Sequence, residues 1–465
     1  MKLIESKQIR STYSALARRY GDIFHLSALG QHTVVINTLE VAEELFSRRS
    51  HIYSDRIENP MLNLMGWGRT AAVFLPYGEI WRAHRRLFQQ GFSTSVIRTS
   101  CHHILSEKIH RFLCNLLDDP EDFLHHVELM LGAVVLKYVY GRDIDVSARE
   151  DVLFSAATRS ARAAGEAVMP GRWLVNSLPA LQFLPEWFPG CYFRSVAREV
   201  KECVKQIIDG GYEEALRCME TDSFVKTLEA TKTRHDTGQI ARKVCGTAYA
   251  AAAETSRTTL ATFFLLMREH PEVQRRAQQE MTEVIGANRL PDFSDRAALP
   301  YVQAVYLEVM RWMPALPFAV PHTTSEDDVY MGYYIPKGSM VIGNIWAMLN
   351  DENKYPDPRA FKPERFLTPE GKLLAKDTDI NSILAYGFGR RLCPGRHFAD
   401  AFVWHVMASV LAGFNIGSSK ENDSQGKDGL EDVFNEGLVS HTAPFECSIA
   451  PRTLEVADLI RNQIL

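Results

Sequence analysis

The stretch AYGFGRRLCPGRHFAD, Ala385 to Asp400, joins a glycine-bearing loop to an amphipathic run through Phe398, Ala399, Phe402, Val403 and Val406. Gly387 and Gly389 permit a tight turn, and a proline is favoured at the first helical position because its missing N–H has no intrahelical partner there. This pattern predicts Cys393, just before Pro394, at a helix N-terminus, where unpaired N–H groups favour an anion. Arg390, Arg391 and Arg396 add positive charge, so the thiolate becomes available as a nucleophile or metal ligand. A lone cysteine before a helix is also compatible with a packed small apolar residue.

Outward from this loop, composition narrows the class. The 465 residues are 46% hydrophobic and 23% charged, a globular balance that excludes a mainly disordered or fibrous chain. Lys plus Arg number 52 against 57 acidic residues, a net charge of −5, so no bulk field draws nucleic acid and any cationic partner surface must be local. The eight cysteines form no CxxC pair and no dense framework, which fits a reducing compartment.

Periodicity predicts a mostly helical chain, with helices over Ser11–Tyr20, Glu79–Gln90, Cys101–Leu117, Phe193–Leu216 and Tyr301–Trp312. Strands are expected as hairpins, Phe24–Leu26 with Thr33–Ile36 and Val329–Ile335 with Met340–Ile345 around Pro336-Lys337-Gly338. Strands from opposite ends of the chain can share one sheet, so a single domain over 1–465 is expected. The polar stretch Ser418–Asp428 reads as a surface insertion. Thr247–Met267 imitates a membrane span, but Glu254 and Arg257 at its centre point to a buried helix ending before Pro271.

The loop YGFGRRLCPG resembles the heme-binding signature of the cytochrome P-450 family, heme-thiolate monooxygenases, particularly its filamentous-fungal members. The family pattern F-x-x-G-x-R-x-C-x-G falls on Tyr386, Gly389, Arg391, Cys393 and Gly395, with Tyr386 in place of phenylalanine; its hydroxyl needs a partner. Glu308 and Arg311 match the family's E-x-x-R, and Phe361–Phe366 matches its PERF element, so the resemblance implies an ionic triad with Arg365. In isolation, Glu308 and Arg311 read equally as a surface ion pair.

Further correspondences follow in family order. Ala251–Ser256 resembles the segment that crosses the distal face of heme, in which Glu254 and Thr255 would deliver protons to dioxygen. The open alternative is that Thr255 back-bonds to a helix carbonyl while Glu254 pairs with a buried cation. Ala252 stands where glycine is usual, which can narrow that pocket. Trp81 and Arg85 match a W-x-x-x-R element that reaches a heme carboxylate, as would Arg391 and His322; for His322 an ordinary loop histidine is the alternative.

The resemblance thus implies a mainly α, triangular cytochrome P-450 fold with small β-sheets (α+β), holding heme b with Cys393 as axial ligand. It implies NADPH- and O2-dependent oxidation of a lipophilic small molecule, such as a terpenoid in fungal secondary metabolism. The expected partner is an NADPH-cytochrome P-450 reductase, docking near Arg82, Arg86, Arg390 and Arg396; a monomer without nucleic-acid partner is expected. Substrate would meet Met61, Leu62, Met65, Trp67, Tyr249, Ala252, Ala253, Leu316, Phe318, Ala319 and Leu438 to Ser440. A heme-thiolate isomerase or dehydratase and a non-catalytic heme carrier are the alternatives. The N-terminal stretch carries no apolar run of anchor length. The resemblance implies association with the cytosolic face of the endoplasmic reticulum, with a soluble or truncated chain as the alternative.

Overall fold

A 31-residue helix, Gln239–Glu269, about 46 Å long, is the axis on which the rest is assembled. In the computed structural model, which describes residues 9–28, 30–143, 151–169, 171–218, 222–231, 238–377, 379–380, 383–419 and 430–462, it packs against helices Phe123–Tyr140, Val152–Val168 and Arg396–Gly413. Leu260, Phe263, Phe264, Leu265 and Leu266 are fully buried there. The helix stops as expected, because Pro271 cannot continue it and instead opens the next one, Pro271–Val284.

Among the described residues, the helix apolar and long enough to cross a membrane is Pro120–Tyr140, and it is mostly buried. Its apolar residues run all round, as a helix enclosed by neighbours requires. Gly141, at φ 72°, caps it by turning the chain left-handed.

Four expected helices are observed as Ile9–Tyr20, Glu79–Phe92, His102–Asp118 and Pro300–Trp312. The helix expected over Phe193–Leu216 is interrupted: Phe193–Lys205 passes into a wide π turn, Gln206–Gly210, before Gly211–Arg217. Adjacent Gly210 and Gly211 propagate a regular helix poorly, which accounts for the break.

The main sheet joins distant parts of the chain. β1 (Ile23–Ala28) and β2 (Gln31–Ile36) form the expected hairpin, and β3 (His322–Thr323) lies at the other edge. Among the described residues, β4 (Asp328–Tyr330) and β5 (Tyr333–Ile335) pair only with each other. β6 (Met340–Gly343) runs parallel to β2 and antiparallel to β3, giving the order β1-β2-β6-β3. The hairpin expected around Pro336-Lys337-Gly338 therefore does not form. Met331 and Gly332, both at positive φ, make the tighter turn that pairs β4 with β5 and leaves β6 to the main sheet. Near the C-terminus, β7 (Phe414–Gly417) pairs with β8 (Ser448–Pro451). Residues 420–428 of the expected insertion lie outside the described residues.

One face of the main sheet, through Val34, Ile36 and Val341, packs with Phe46, Ile345 and Phe388. Phe388 belongs to the cysteine loop, so the sheet buttresses that loop from behind. Gly389 sits at φ 48°, and a Cβ there would lie 2.0 Å from the carbonyl oxygen of Phe46. Only glycine fits this approach.

The E-x-x-R and PERF elements close a buried network. Glu308 accepts from Arg311 at 2.6 and 2.9 Å, from Arg365 Nε at 3.0 Å and from the Lys362 N–H at 2.9 Å. Arg311 and Arg365 give further bonds to the carbonyls of Leu349, Pro358, Pro356, Asp357 and Ala360. This is the ionic triad, buried rather than a surface pair.

Candidate active site

The cysteine loop differs locally from the expected helix start. Helix Arg396–Gly413 has Gly395 as its N-cap, so Pro394 lies in the preceding turn and Cys393 stands three residues before the first helical residue. The Cys393 N–H donates to the Tyr386 carbonyl at 2.9 Å, which fixes the loop across its base. Burial holds the half-buried thiol above its ordinary range, only partly offset by the Gly395 N–H and the charges of Arg85 and Arg396. By contrast Cys447, buried beside β8, is pushed up to about 12, burial being the main cause. Cys393 differs from Cys447 in having a backbone N–H donor, that of Gly395, and two arginines, Arg85 and Arg396, acting on its sulfur.

Tyr386 finds the partner that its hydroxyl requires. Its Oη lies 3.0 Å from the Tyr306 Oη, both rings being buried. Tyr306 in turn lies under Arg296, which is held bidentately by Asp400 at 2.6 and 2.8 Å.

Beside the loop a group of cations converges. Arg391 donates to the carbonyls of Ser54 (2.8 Å), Ala72 (3.2 Å) and Leu75 (2.8 Å), and stacks over Trp81 at 4.7 Å. Arg85, also over Trp81, donates to the Leu392 carbonyl at 2.7 Å. Arg56, which the sequence reading did not single out, donates to the carbonyls of Val73, Val320 and Pro321. Burial lowers all three guanidiniums, Arg391 to about 10. Among the described residues, the negative groups acting on them are Asp55, for Arg56 and Arg391, and the Cys393 thiolate, for Arg85, with a minor part from Tyr77. Half-buried, partly compensated cations of this kind call for an anion.

His322 joins this edge with a different capacity. Its Nδ1–H donates to the Tyr53 carbonyl at 2.7 Å, and the ring packs on Phe46 at 4.4 Å. In that neutral form Nε2 is an acceptor, and burial, Arg56 and Arg391 all oppose a second proton. A carboxylate could use His322 as a donor only by supplying or stabilising that proton.

On the long helix, Ala251 is exposed and Ala252 and Thr255 are half-buried, although nearly every residue from Ala253 to Met267 is enclosed. These three side chains therefore face accessible space at mid-helix. Thr255 Oγ1 donates back to the Ala251 carbonyl at 3.0 Å. Glu254 points to the last loop, where its Oε2 lies 2.9 Å from His441 Nε2. The two atoms are at hydrogen-bond distance, with the carboxylate facing the ring nitrogen. Both contacts are those of the alternative reading of the acid and alcohol pair. Burial raises the Glu254 carboxyl, but His441, then Arg162 and Arg257, outweigh it and hold it below its ordinary range.

The structure sorts the expected substrate contacts. Leu316, Phe318, Ala252, Leu438 and Val439 retain accessible surface. Met61, Leu62, Met65, Trp67 and Tyr249 are instead enclosed in the helical core, Trp67 donating to the Ser160 carbonyl. Large apolar side chains close on one another there.

Comparison with known proteins decides the family. The sequence profile described as cytochrome P-450 matches residues 1–448. The chain belongs to the cytochrome P-450 family. It is 37% identical over 450 residues to a cytochrome P-450 monooxygenase of Armillaria gallica, covering 94% of this chain and 86% of that protein. It is 36% identical to the monooxygenase claR of Ampulloclitocybe clavipes (95% and 82%) and 37% identical to the monooxygenase ple1 of Rhodocybe pseudopiperita (97% and 87%). The chain is accordingly a monooxygenase of the mainly α cytochrome P-450 fold, a family that binds heme b through a cysteine thiolate. Residues of this chain fit that group: a half-buried cysteine near Arg85 and Arg396, partly compensated guanidiniums for its carboxylates, and accessible side chains at Ala251, Ala252 and Thr255.

Proposed function

We propose that Cys393 would supply the thiolate ligand of heme b, that Trp81, Arg85 and Arg391, joined by Arg56, would hold the heme carboxylates, and that Glu254 and Thr255 would manage protons. His322 completes the edge mainly by packing. The observation that carries this reading is the convergence of Arg56, Arg85 and Arg391 beside Cys393 with one nearby carboxylate, Asp55. When bound, heme supplies the activation of dioxygen, one oxygen atom entering the substrate and the other leaving as water. This chain's residues supply position, charge balance and protons.

The substrate in this reading is a lipophilic small molecule, since Leu316, Phe318, Ala252, Leu438 and Val439 are apolar and keep accessible surface. The three named relatives are fungal monooxygenases, and fungal secondary metabolism, such as terpenoid oxidation, is the setting proposed here. Electrons come from NADPH through a flavoprotein reductase, for which exposed Arg82, Arg86 and Arg390 provide a local basic face despite the acidic net charge. Residues 1–465 act as one heme domain and as a monomer. Association with the cytosolic face of the endoplasmic reticulum is supported by exposed Leu174, Leu178, Phe183, Trp187 and Tyr192, a run of apolar side chains suited to a lipid surface.

Thr255→Ala tests the proton role. With reductase and NADPH, the variant should load heme normally while the share of NADPH diverted to peroxide rises several-fold; an unchanged peroxide share removes Thr255 from the reaction.

A further inference from the structure

His441 bridges two residues one helical turn apart. Its Nε2 lies 2.9 Å from Glu254 Oε2, and its Nδ1 lies 3.1 Å from Thr258 Oγ1. Glu254 and Thr258, four residues apart, present these atoms on one helix face. With Nε2 toward the carboxylate, the neutral ring carries its proton there and accepts from the Thr258 hydroxyl at Nδ1. The backbone around the ring is tied down as well: the His441 N–H donates to Asn435 Oδ1 at 2.9 Å, and the Asn435 N–H donates to the His441 carbonyl at 2.8 Å. Nothing in the sequence flagged His441, since it lies 187 positions from Glu254 by their numbers, 441 and 254.

Accessibility gives the pair a direction. The His441 side chain is 16% exposed and the Glu254 side chain 5%, so water reaches the imidazole before it reaches the carboxylate. The other charges near Glu254 are Arg162 and Arg257, and Arg257 is engaged by Glu128. Neither arginine can release a proton at physiological pH, whereas an imidazole can.

We propose that His441 is the residue through which Glu254 is positioned and resupplied with protons from solvent. This rests on reading Glu254 as the acid of the pair. In the step, a hydronium ion at the solvent side gives its proton to Nδ1, where Thr258 turns its hydroxyl to accept from the new N–H and keeps the ring aimed. The Nε2–H bond of the imidazolium then breaks as an Oε2–H bond forms, leaving water, a neutral ring protonated at Nδ1 and a neutral carboxyl.

The test uses the heme-loaded full chain with an NADPH-cytochrome P-450 reductase and no added substrate. NADPH consumed and peroxide released are measured in H2O and D2O for His441→Gln, His441→Leu and Glu254→Gln. Infrared spectra of the same proteins follow the protonated carboxyl, assigned to Glu254 by its loss in Glu254→Gln. His441→Gln keeps an N–H toward Oε2 but cannot relay, so the carboxylate stays ionised. Its proton-limited rate should fall on the order of a hundredfold, the lower end of what a positioned acid contributes, with a larger solvent isotope effect and more peroxide. His441→Leu should in addition raise the Glu254 carboxyl, so that its protonated band persists to higher pH than in the wild type. Wild-type peroxide shares and isotope effects in both His441 variants, with Glu254→Gln impaired, would overturn the role of His441 alone. Wild-type behaviour of Glu254→Gln would overturn the acid reading and the conduit with it.

Discussion

Two buried ionic groups in this molecule are built from the same residue types and reach opposite ends. Around Glu308, a carboxylate sits between Arg311 and Arg365, and both guanidiniums fill their remaining donors with carbonyls. Around Trp81, Arg56, Arg85 and Arg391 also bond to carbonyls, but the carboxylate nearby is Asp55 and the thiolate is that of Cys393. The first network is closed by the protein, so its function is to hold the fold. The second is left in want of negative charge, which is how a protein prepares a place for a dianionic group.

The largest break in this contrast should come from Glu308→Ala. It leaves two guanidiniums buried without a counter-charge, and a loss of about 3–5 kcal/mol is expected in denaturant unfolding, enough to abolish stable folding. Wild-type stability would show that the triad is not the closed structural partner of the comparison.

Acid should expose a second kind of uncompensated group. His84 and His405 are buried, and burial lowers both to about 4 from an unfolded value of 6.5. Between those values the unfolded chain binds protons that the folded chain refuses, so stability falls as pH drops from 6.5 to 4. The loss is about 3 kcal/mol for each histidine. His84→Phe should flatten the pH dependence of the melting temperature in this window; an unchanged slope would refute the assignment for His84.

Arg85→Leu is the smaller perturbation and the sharper one. It removes a partly compensated cation, so the heme-free protein should keep its stability within about 1 kcal/mol. Heme affinity should fall about tenfold, measured by transfer to an acceptor apoprotein. A stability loss as severe as that of Glu308→Ala, with heme affinity unaffected, would erase the distinction between the two groups.

What could be read in the sequence follows from how locally each feature is encoded. The cysteine loop, the E-x-x-R helix and the buried Gln239–Glu269 helix are short-range patterns, and each fell where periodicity and motif placed it. The helix start at Gly395 instead of Pro394, and the pairing of β4 with β5, depended on turn geometry at Gly395 and at Met331-Gly332. Arg56 and His441 were invisible because their partners are far away in the chain; only packing brings Arg56 to Arg391, or His441 to Glu254. The enclosure of Met65, Trp67 and Tyr249 likewise reflects how neighbouring helices close, which residue type alone does not determine.

The central claim is that Cys393, in its cationic setting, is the heme ligand. It is tested most directly by the spectrum of the reduced, heme-loaded protein under carbon monoxide. The wild type and Cys447→Ala are expected to show the long-wavelength Soret band specific to a thiolate ligand, and Cys393→Ala to lose it. Retention of that band in Cys393→Ala, or its loss in Cys447→Ala with the fold intact, would contradict the assignment.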